Sequence, residues 1–160
     1  TIGDIGGGLG HLLNAVLERA PQARGVLFDL PQVIEHSRRQ GNPRVSYVGG
    51  DFFKDPIPSC DAYLMMTVLH DWSDEESVAI LKNIKAGAPP AAKVLILEGV
   101  VQPEAHNNFL LDLDIEMLVM TTGRERTRKE WSAVIAGAGM RLTRVIPASG
   151  WTSIVEAELA

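Results

Sequence analysis

The sequence predicts a doubly wound α/β fold of seven strands, mostly parallel, closed by an antiparallel C-terminal hairpin. Three observations lead there. Short apolar runs bounded by polar residues, which read as strands buried on both faces, alternate with stretches of helical periodicity. Two of those stretches open on a capping-box signal, Ser73 with Glu76 and Thr127 with Glu130. The last two strands are separated only by a Pro-Ala-Ser-Gly turn. That connection is too short for a parallel crossover.

Taken in order, Thr1–Ile5 is the end of a first strand. The turn Gly6-Gly7-Gly8-Leu9-Gly10 leads into a helix over His11–Arg19, with Leu12, Leu13, Val16 and Leu17 at helical spacing. Gly25–Asp29 is a second strand ending in an acid, and Pro31 opens a helix to Arg39. Val45–Val48 is a short third strand leading into Gly49-Gly50-Asp51-Phe52-Phe53, and Pro56 and Pro58 punctuate the following loop. Asp61–Met66, apolar after its first residue, is the fourth strand. The helix Asp74–Ala86 carries Val78, Ile80, Leu81 and Ile84 inward and stops at Gly87, a suitable residue just past a helix end. Lys93–Glu98 is a fifth strand with an acid at its carboxyl end. Asn107–Met120 is a strongly apolar helix, Thr122–Thr127 a polar loop, and Arg128–Ala136 a helix closed by Gly137 and Gly139. Met140–Val145 and Trp151–Ala157 form the hairpin. The order strand–helix repeated, then a hairpin, is what a doubly wound sheet requires.

With 160 residues, 46% of them hydrophobic, the chain has enough material for one domain with a real core. A net charge of −5 without a Lys/Arg cluster argues against a nucleic-acid partner. No apolar run approaches the ~20 residues of a membrane span, and no leader peptide is visible. A single cysteine, Cys60, permits neither an internal disulfide nor a cysteine-based zinc site. The expected setting is cytoplasmic, without a metal. The glycine turn follows Thr1 almost at once, leaving little room for a strand of the usual ~5–6 residues. A fragment is therefore expected.

Strand, glycine turn, helix is the context in which glycines let a ligand approach the backbone; an ordinary tight turn is the alternative. Asp29 lies about 20 residues past the loop, where a dinucleotide fold places a carboxylate against ribose hydroxyls. Its alternative is a cap on the following helix. Asp51 could accept from an adenine amine while Phe52 covers a ring face, or the pair could be a turn with core phenylalanines. His70, Glu98 and Glu125 all fall at or beyond carboxyl strand ends, and in this sheet type those ends share one edge. An imidazole with an ordinary pKa of about 6.5 accepts a proton near neutrality, and a carboxylate on one ring nitrogen fixes its tautomer. The alternatives are a histidine packed on Trp72 at a helix entry, a solvated loop charge at Glu125 and a strand-end turn residue at Glu98.

Five ordered blocks, Asp4-Ile5-Gly6-Gly7-Gly8-Leu9-Gly10, Phe28-Asp29-Leu30-Pro31, Gly49-Gly50-Asp51-Phe52-Phe53, His70-Asp71-Trp72-Ser73-Asp74-Glu75 and Gly123-Arg124-Glu125-Arg126-Thr127, strongly resemble the S-adenosylmethionine-dependent O-methyltransferases. The type is that of the plant caffeic acid and flavonoid enzymes with their bacterial, hydroxyindole-type relatives. The resemblance runs over essentially the whole chain and implies a Rossmann-like catalytic domain whose cofactor is S-adenosyl-L-methionine. It implies that Gly6 and Gly8 pass under the methionine part, that Asp29 with Leu30 beside it holds the ribose, and that Asp51 and Phe52 hold the adenine. His70 would be the general base toward a small hydroxylated acceptor, with Glu98 and Glu125 positioning its ring. Asp71, Met117 and Met120 would touch the acceptor. Relatives often carry a Lys or Arg a few residues before the histidine; Met66 and Thr67 stand there in this chain. The family also has an N-terminal, mostly helical dimerisation domain, so a homodimer of the full-length protein is implied.

Two other readings fit the same residues. A nicotinamide-dependent oxidoreductase would also use a glycine loop and Asp29, although the Gly-x-Gly-x-x-Gly spacing is not kept from Gly6. A non-catalytic cofactor-binding module of the same fold is the other.

Overall fold

The computed structural model describes residues 1–102 and 108–160. Its strands are β1 (Ile2–Ile5), β2 (Gly25–Asp29), β3 (Val45–Gly49), β4 (Ala62–Met66), β5 (Lys93–Val101), β6 (Arg126–Thr127), β7 (Met140–Pro147) and β8 (Thr152–Leu159). Its helices are α1 (His11–Arg19), α2 (Pro31–Ser37), α3 (Asp74–Gly87), α4 (Asn108–Met120) and α5 (Arg128–Gly137). The expected start of α4, Asn107, lies outside the described residues.

The seven expected strands lie in the order β3-β2-β1-β4-β5-β8-β7, with β6 attached to β5 off this path. β1 to β5 run parallel to one another, and β8 runs antiparallel to both β5 and β7. Because side chains alternate across a strand, β2 feeds two cores. Leu27 joins Leu13, Leu17 and Ile34, while Val26 and Phe28 join a larger cluster with Tyr63, Met65, Ile80, Ile84, Ile96 and Trp131. The chain leaves β1 toward β2 on one side and β4 toward β5 on the other. The carboxyl ends of β1 and β4 therefore flank the point where the winding reverses, and a crevice opens there.

Both capping boxes form. Ser73 Oγ accepts from the Glu76 N–H at 3.2 Å and Thr127 Oγ1 from the Glu130 N–H at 3.3 Å, and each Glu carboxylate reaches back to the cap N–H. Four expectations change. The helix after Pro31 tightens at Arg38–Gln40 into a 3₁₀ turn. Gly87 is the last residue of α3 rather than the one beyond it, and a Cβ there would stand 2.4 Å from the Ile57 carbonyl oxygen. β5 continues past Glu98 to Val101, because Gly99 still pairs with Thr152 and Val100 and Val101 pair with β6. The segment read as a polar loop over 122–127 thus contains a short parallel strand at its end.

Candidate active site

The glycine turn after β1 is forced locally. Gly6, Gly8 and Gly10 have φ of +69°, +57° and +78°, a region that side chains rarely adopt. At Gly8 the direction a Cβ would take is open space, so the backbone there can be approached. Asp29, at the end of β2, accepts from the Gly8 N–H through Oδ2 at 2.8 Å and from the Leu30 N–H through Oδ1 at 2.7 Å. It does not cap α2, whose cap position is Leu30 without a side-chain bond. The local alternative for Asp29 therefore fails.

A cleft of about 340 Å³ lies at this edge, lined by Gly6, Asp29, Leu30, Asp51, Phe52 and Trp72 among others. Every cofactor candidate named from the sequence except Gly8 lines it. A second hollow of about 300 Å³ continues on the other side of Gly6 and Thr67 and includes Asp4, Gly8, His11 and Met66. Phe52, Phe53 and Trp72 form an edge-to-face cluster with centroids 4.8–5.9 Å apart. Asp51 holds Lys54 at 2.8 Å and the Phe53 N–H at 2.9 Å. The bond from Lys54, followed by that from Phe53, keeps its carboxyl below the usual range. That ion pair is exposed, and exposed pairs contribute little, so Asp51 can exchange partners easily.

Thr67, where β4 ends, has φ +51°, a strained backbone for a β-branched residue. It stands at the junction of the two hollows. Asp4, at the end of β1, is fully buried with Oδ2 unpartnered among the described residues. Burial pushes its carboxyl up to about 6, against a backbone hydrogen bond from Leu13. The sequence reading gave Asp4 no role, although an acid just before a glycine turn was a visible signal.

The 3₁₀ turn Leu69–Asp71 follows β4 and holds the histidine. His70 is buried at 8% exposure. Its Nδ1 is 2.8 Å from Glu125 Oε1 and 3.8 Å from Glu98 Oε2, and its Nε2 is 3.7 Å from Asp71 Oδ1. The three residues separated by up to 55 positions therefore do converge. Glu98 lies one residue beyond the point where β4 ends opposite Leu97. There its Oε1 accepts from the Val68 and Leu69 N–H groups at 2.9 and 3.0 Å. Glu98 thus anchors the backbone leading to His70 as well as facing its ring. Burial raises the Glu98 carboxyl to about 7, opposed chiefly by His70. For His70, desolvation lowers the pKa, but the Glu125 hydrogen bond and the charges of Glu98, Glu125 and Asp71 outweigh it. The net position is above 6.5.

Two glycines make this convergence possible. A Cβ on Gly99 would lie 2.4 Å from Glu125 Oε2, and one on Gly123 would lie 1.7 Å from the His70 carbonyl oxygen. The Glu125 N–H is held in turn by Asp114 of α4 at 2.7 Å. Sequence reasoning missed Gly99, Asp114 and the role of Gly123. Of the acceptor candidates, Asp71 and Met120 line one hollow with Trp72, Thr121 and Thr122. Met117 is buried on α4 and does not line that hollow. No group of His, Cys, Asp and Glu suited to a metal ion occurs among the described residues.

A family model described as the O-methyltransferase domain matches residues 1–141. Phenazine O-methyltransferase PhzM of Lysobacter antibioticus is 40% identical over 163 residues, covering 98% of this chain and 48% of that protein. Cephaeline 6'-O-methyltransferase CiOMT of Carapichea ipecacuanha is 42% identical over 160 residues, with 96% and 45% covered. The crystal structure of CalO1, a methyltransferase in calicheamicin biosynthesis in its SAH-bound form, superposes with a TM-score of 0.91 at 35% identity, covering 99% of this chain and 48% of that one. The chain spans about half the length of the relatives it matches. With the O-methyltransferase domain model matching residues 1–141 and a phenazine O-methyltransferase 40% identical over 98% of the chain, this chain belongs to the O-methyltransferase domain family.

Proposed function

We propose that this chain is the catalytic domain of an S-adenosylmethionine-dependent O-methyltransferase that methylates a hydroxyl oxygen of a small aromatic or polyketide-like molecule. The observation that carries the reading is the His70 imidazole, 2.8 Å from the buried Glu125 and next to Asp71, which lines the cleft. The connected hollows suit a nucleoside joined to an amino acid. Asp29, Leu30, Asp51 and Phe52 would hold the nucleoside, and Gly6 and Gly8, beside the buried Asp4, the amino-acid part. When bound, S-adenosylmethionine supplies a methyl group on a sulfonium, which is already an activated electrophile.

The chain's own task is then to make the acceptor oxygen nucleophilic and to aim it. Nδ1–H of His70 donates to Glu125, which leaves the Nε2 lone pair as the base. A phenol, with a pKa of about 10 like tyrosine, gives its proton to Nε2. The imidazolium that forms lies against Glu125 and Glu98. Both acids favour it, and a base with a raised pKa narrows the gap to the phenol. Asp71 and Met120, which line one hollow, would meet the acceptor, with the buried Met117 packed behind them on α4, and aim matters because displacement in line depends on placement. A further domain and a second copy of the full-length protein would cover α4, where Ile115, Leu118, Val119 and Met120 stand more than 60% exposed.

Calorimetric titration of the protein with S-adenosylhomocysteine, and separately with NADH, is the direct test. Binding of the first alone is expected. Binding of NADH alone would return the reading to an oxidoreductase. With an acceptor in hand, His70→Gln is expected to lower kcat about 10²–10⁴-fold. Undiminished turnover in that variant would point to a different base, and binding without any turnover in the parent protein to a non-catalytic module.

A further inference from the structure

Behind His70 lies a charged side chain that proton transfer does not call on. Arg126 is fully buried. Its guanidinium spans both ends of the turn that carries the histidine. Nη1 donates to the Leu69 carbonyl at 3.0 Å and Nη2 to the Trp72 carbonyl at 2.8 Å. Nε donates to Asp74 Oδ1 at 2.8 Å, and Nη2 also reaches Ser77 Oγ at 3.2 Å, both at the start of α3. A longer contact at 3.5 Å runs to the Arg124 carbonyl. The guanidinium carbon lies over the Trp131 ring, 5.1 Å from its centre, and Trp131 donates to the Gly99 carbonyl of β5 at 3.1 Å.

Burying a cation costs several kcal/mol unless its donors are matched. Here one carboxylate and several oxygens match them, and the principal bonds tie together pieces that must keep their spacing around the imidazole. Glu125 and Arg126 are neighbours, and successive side chains of extended backbone point to opposite sides. One therefore takes the ring of His70 and the other the carbonyls on either side of it. A planar fork can hold two carbonyls and a carboxylate at once; an ammonium is a single point with no such geometry.

We propose that Arg126 is a positioning residue for the base: it pins the Leu69–Trp72 turn to the dipeptide that also supplies Glu125, and so sets the contact between the His70 ring and that carboxylate. The proposal rests on the reading of His70 as the base. The charged groups facing the His70 ring are Glu98 on β5, Glu125 just before β6 and Asp71 on the turn itself, while Arg126 binds the carbonyls flanking it. Asp114 of α4 acts on Glu125 through its N–H.

The test compares the parent protein with Arg126→Lys and with Asp74→Ala, which removes one anchor at the partly exposed end of the fork. The protein has four histidines, so the His70 signal in ¹⁵N-histidine-labelled samples is assigned with His70→Gln. Arg126→Lys is expected to bind S-adenosylhomocysteine within about threefold of the parent while the His70 titration midpoint falls toward 6.5. With a methyl acceptor, kcat should fall about 10–100-fold and its rise with pH should move to lower pH, with KM little changed. Asp74→Ala should move both in the same sense by less. A folded Arg126→Lys protein with an unmoved midpoint and unmoved pH profile overturns the proposal. If that variant does not fold, an unmoved midpoint in Asp74→Ala does so. Failure of the methyl-transfer reading appears separately, as absent S-adenosylhomocysteine binding in the parent, and leaves the His70 titration readable.

Discussion

Glu98 serves the backbone as much as the ring. One oxygen holds the Val68 and Leu69 N–H groups, while the other is buried without a hydrogen-bond partner among the described residues. A carboxyl whose folded pKa, about 7, lies above its unfolded value of 4.5 binds more protons when folded across that window. Stability therefore falls as pH rises from ~4.5 through ~7. Glu98→Gln keeps an acceptor for both N–H groups and removes the charge. Urea unfolding should find it more stable than the parent at pH 8 by ~2 kcal/mol, with little difference at pH 5. A gain independent of pH would mean that Glu98 does not titrate in the folded protein. Turnover should drop, because the imidazolium loses one of its two acids.

The element that decides the site is β6, only two residues long. Its pairing with Val100 and Val101 draws Glu125 alongside Gly99. Gly99→Ala would put a methyl 2.4 Å from Glu125 Oε2 and 2.6 Å from Leu110. Cofactor affinity should survive, since the clefts at β1 and β2 are untouched, while turnover should fall by about 10²-fold as Glu125 leaves His70. Equal loss of S-adenosylhomocysteine binding would show that the change spreads through the sheet instead. β6 was not legible in the sequence. Arg126 and Thr127 offer no periodicity, and an acid such as Glu98 reads as the end of a strand rather than its sixth residue of nine. The capping boxes of α3 and α5 were legible because both partners lie within four residues of each other.

Across the whole molecule the carboxyls raised by desolvation lie around the crevice and share one sign. Asp4 and Glu98 are raised by burial to about 6 and about 7, and Asp71 is raised in the same direction. Each loses stability as pH climbs through its own window. His70, also raised, contributes stability that is full below 6.5 and is lost as pH passes its folded value. Asp51, Glu76, Glu130 and Glu156 are lowered, and their stabilisation is lost only as pH falls below the ordinary carboxylate range. The first two of these, and Glu130 to a lesser degree, are solvent-screened, so the buried set should dominate. Thermal unfolding should give a maximum near pH 5–6 and a Tm about 5 °C or more lower at pH 8. A flat profile over that range would remove the burial argument for Asp4 and Glu98 together.

What the sequence determined by itself was everything governed by neighbours along the chain. The strand and helix periods, the capping boxes, the positive-φ glycines after β1, the acid closing β2 and the histidine after β4 all follow from local geometry and local burial. The order of elements then constrained the sheet to a doubly wound form. Tertiary structure alone decided how far apart distant residues stand. It turned Glu98 onto the backbone of Val68 and Leu69, cleared space at Gly99 and Gly123, brought Glu125 to 2.8 Å from a ring 55 residues away and buried Arg126 behind it. The reason is physical: those separations depend on strand register and on the packing of side chains from several elements, and no short stretch of the chain contains more than one side of any such contact.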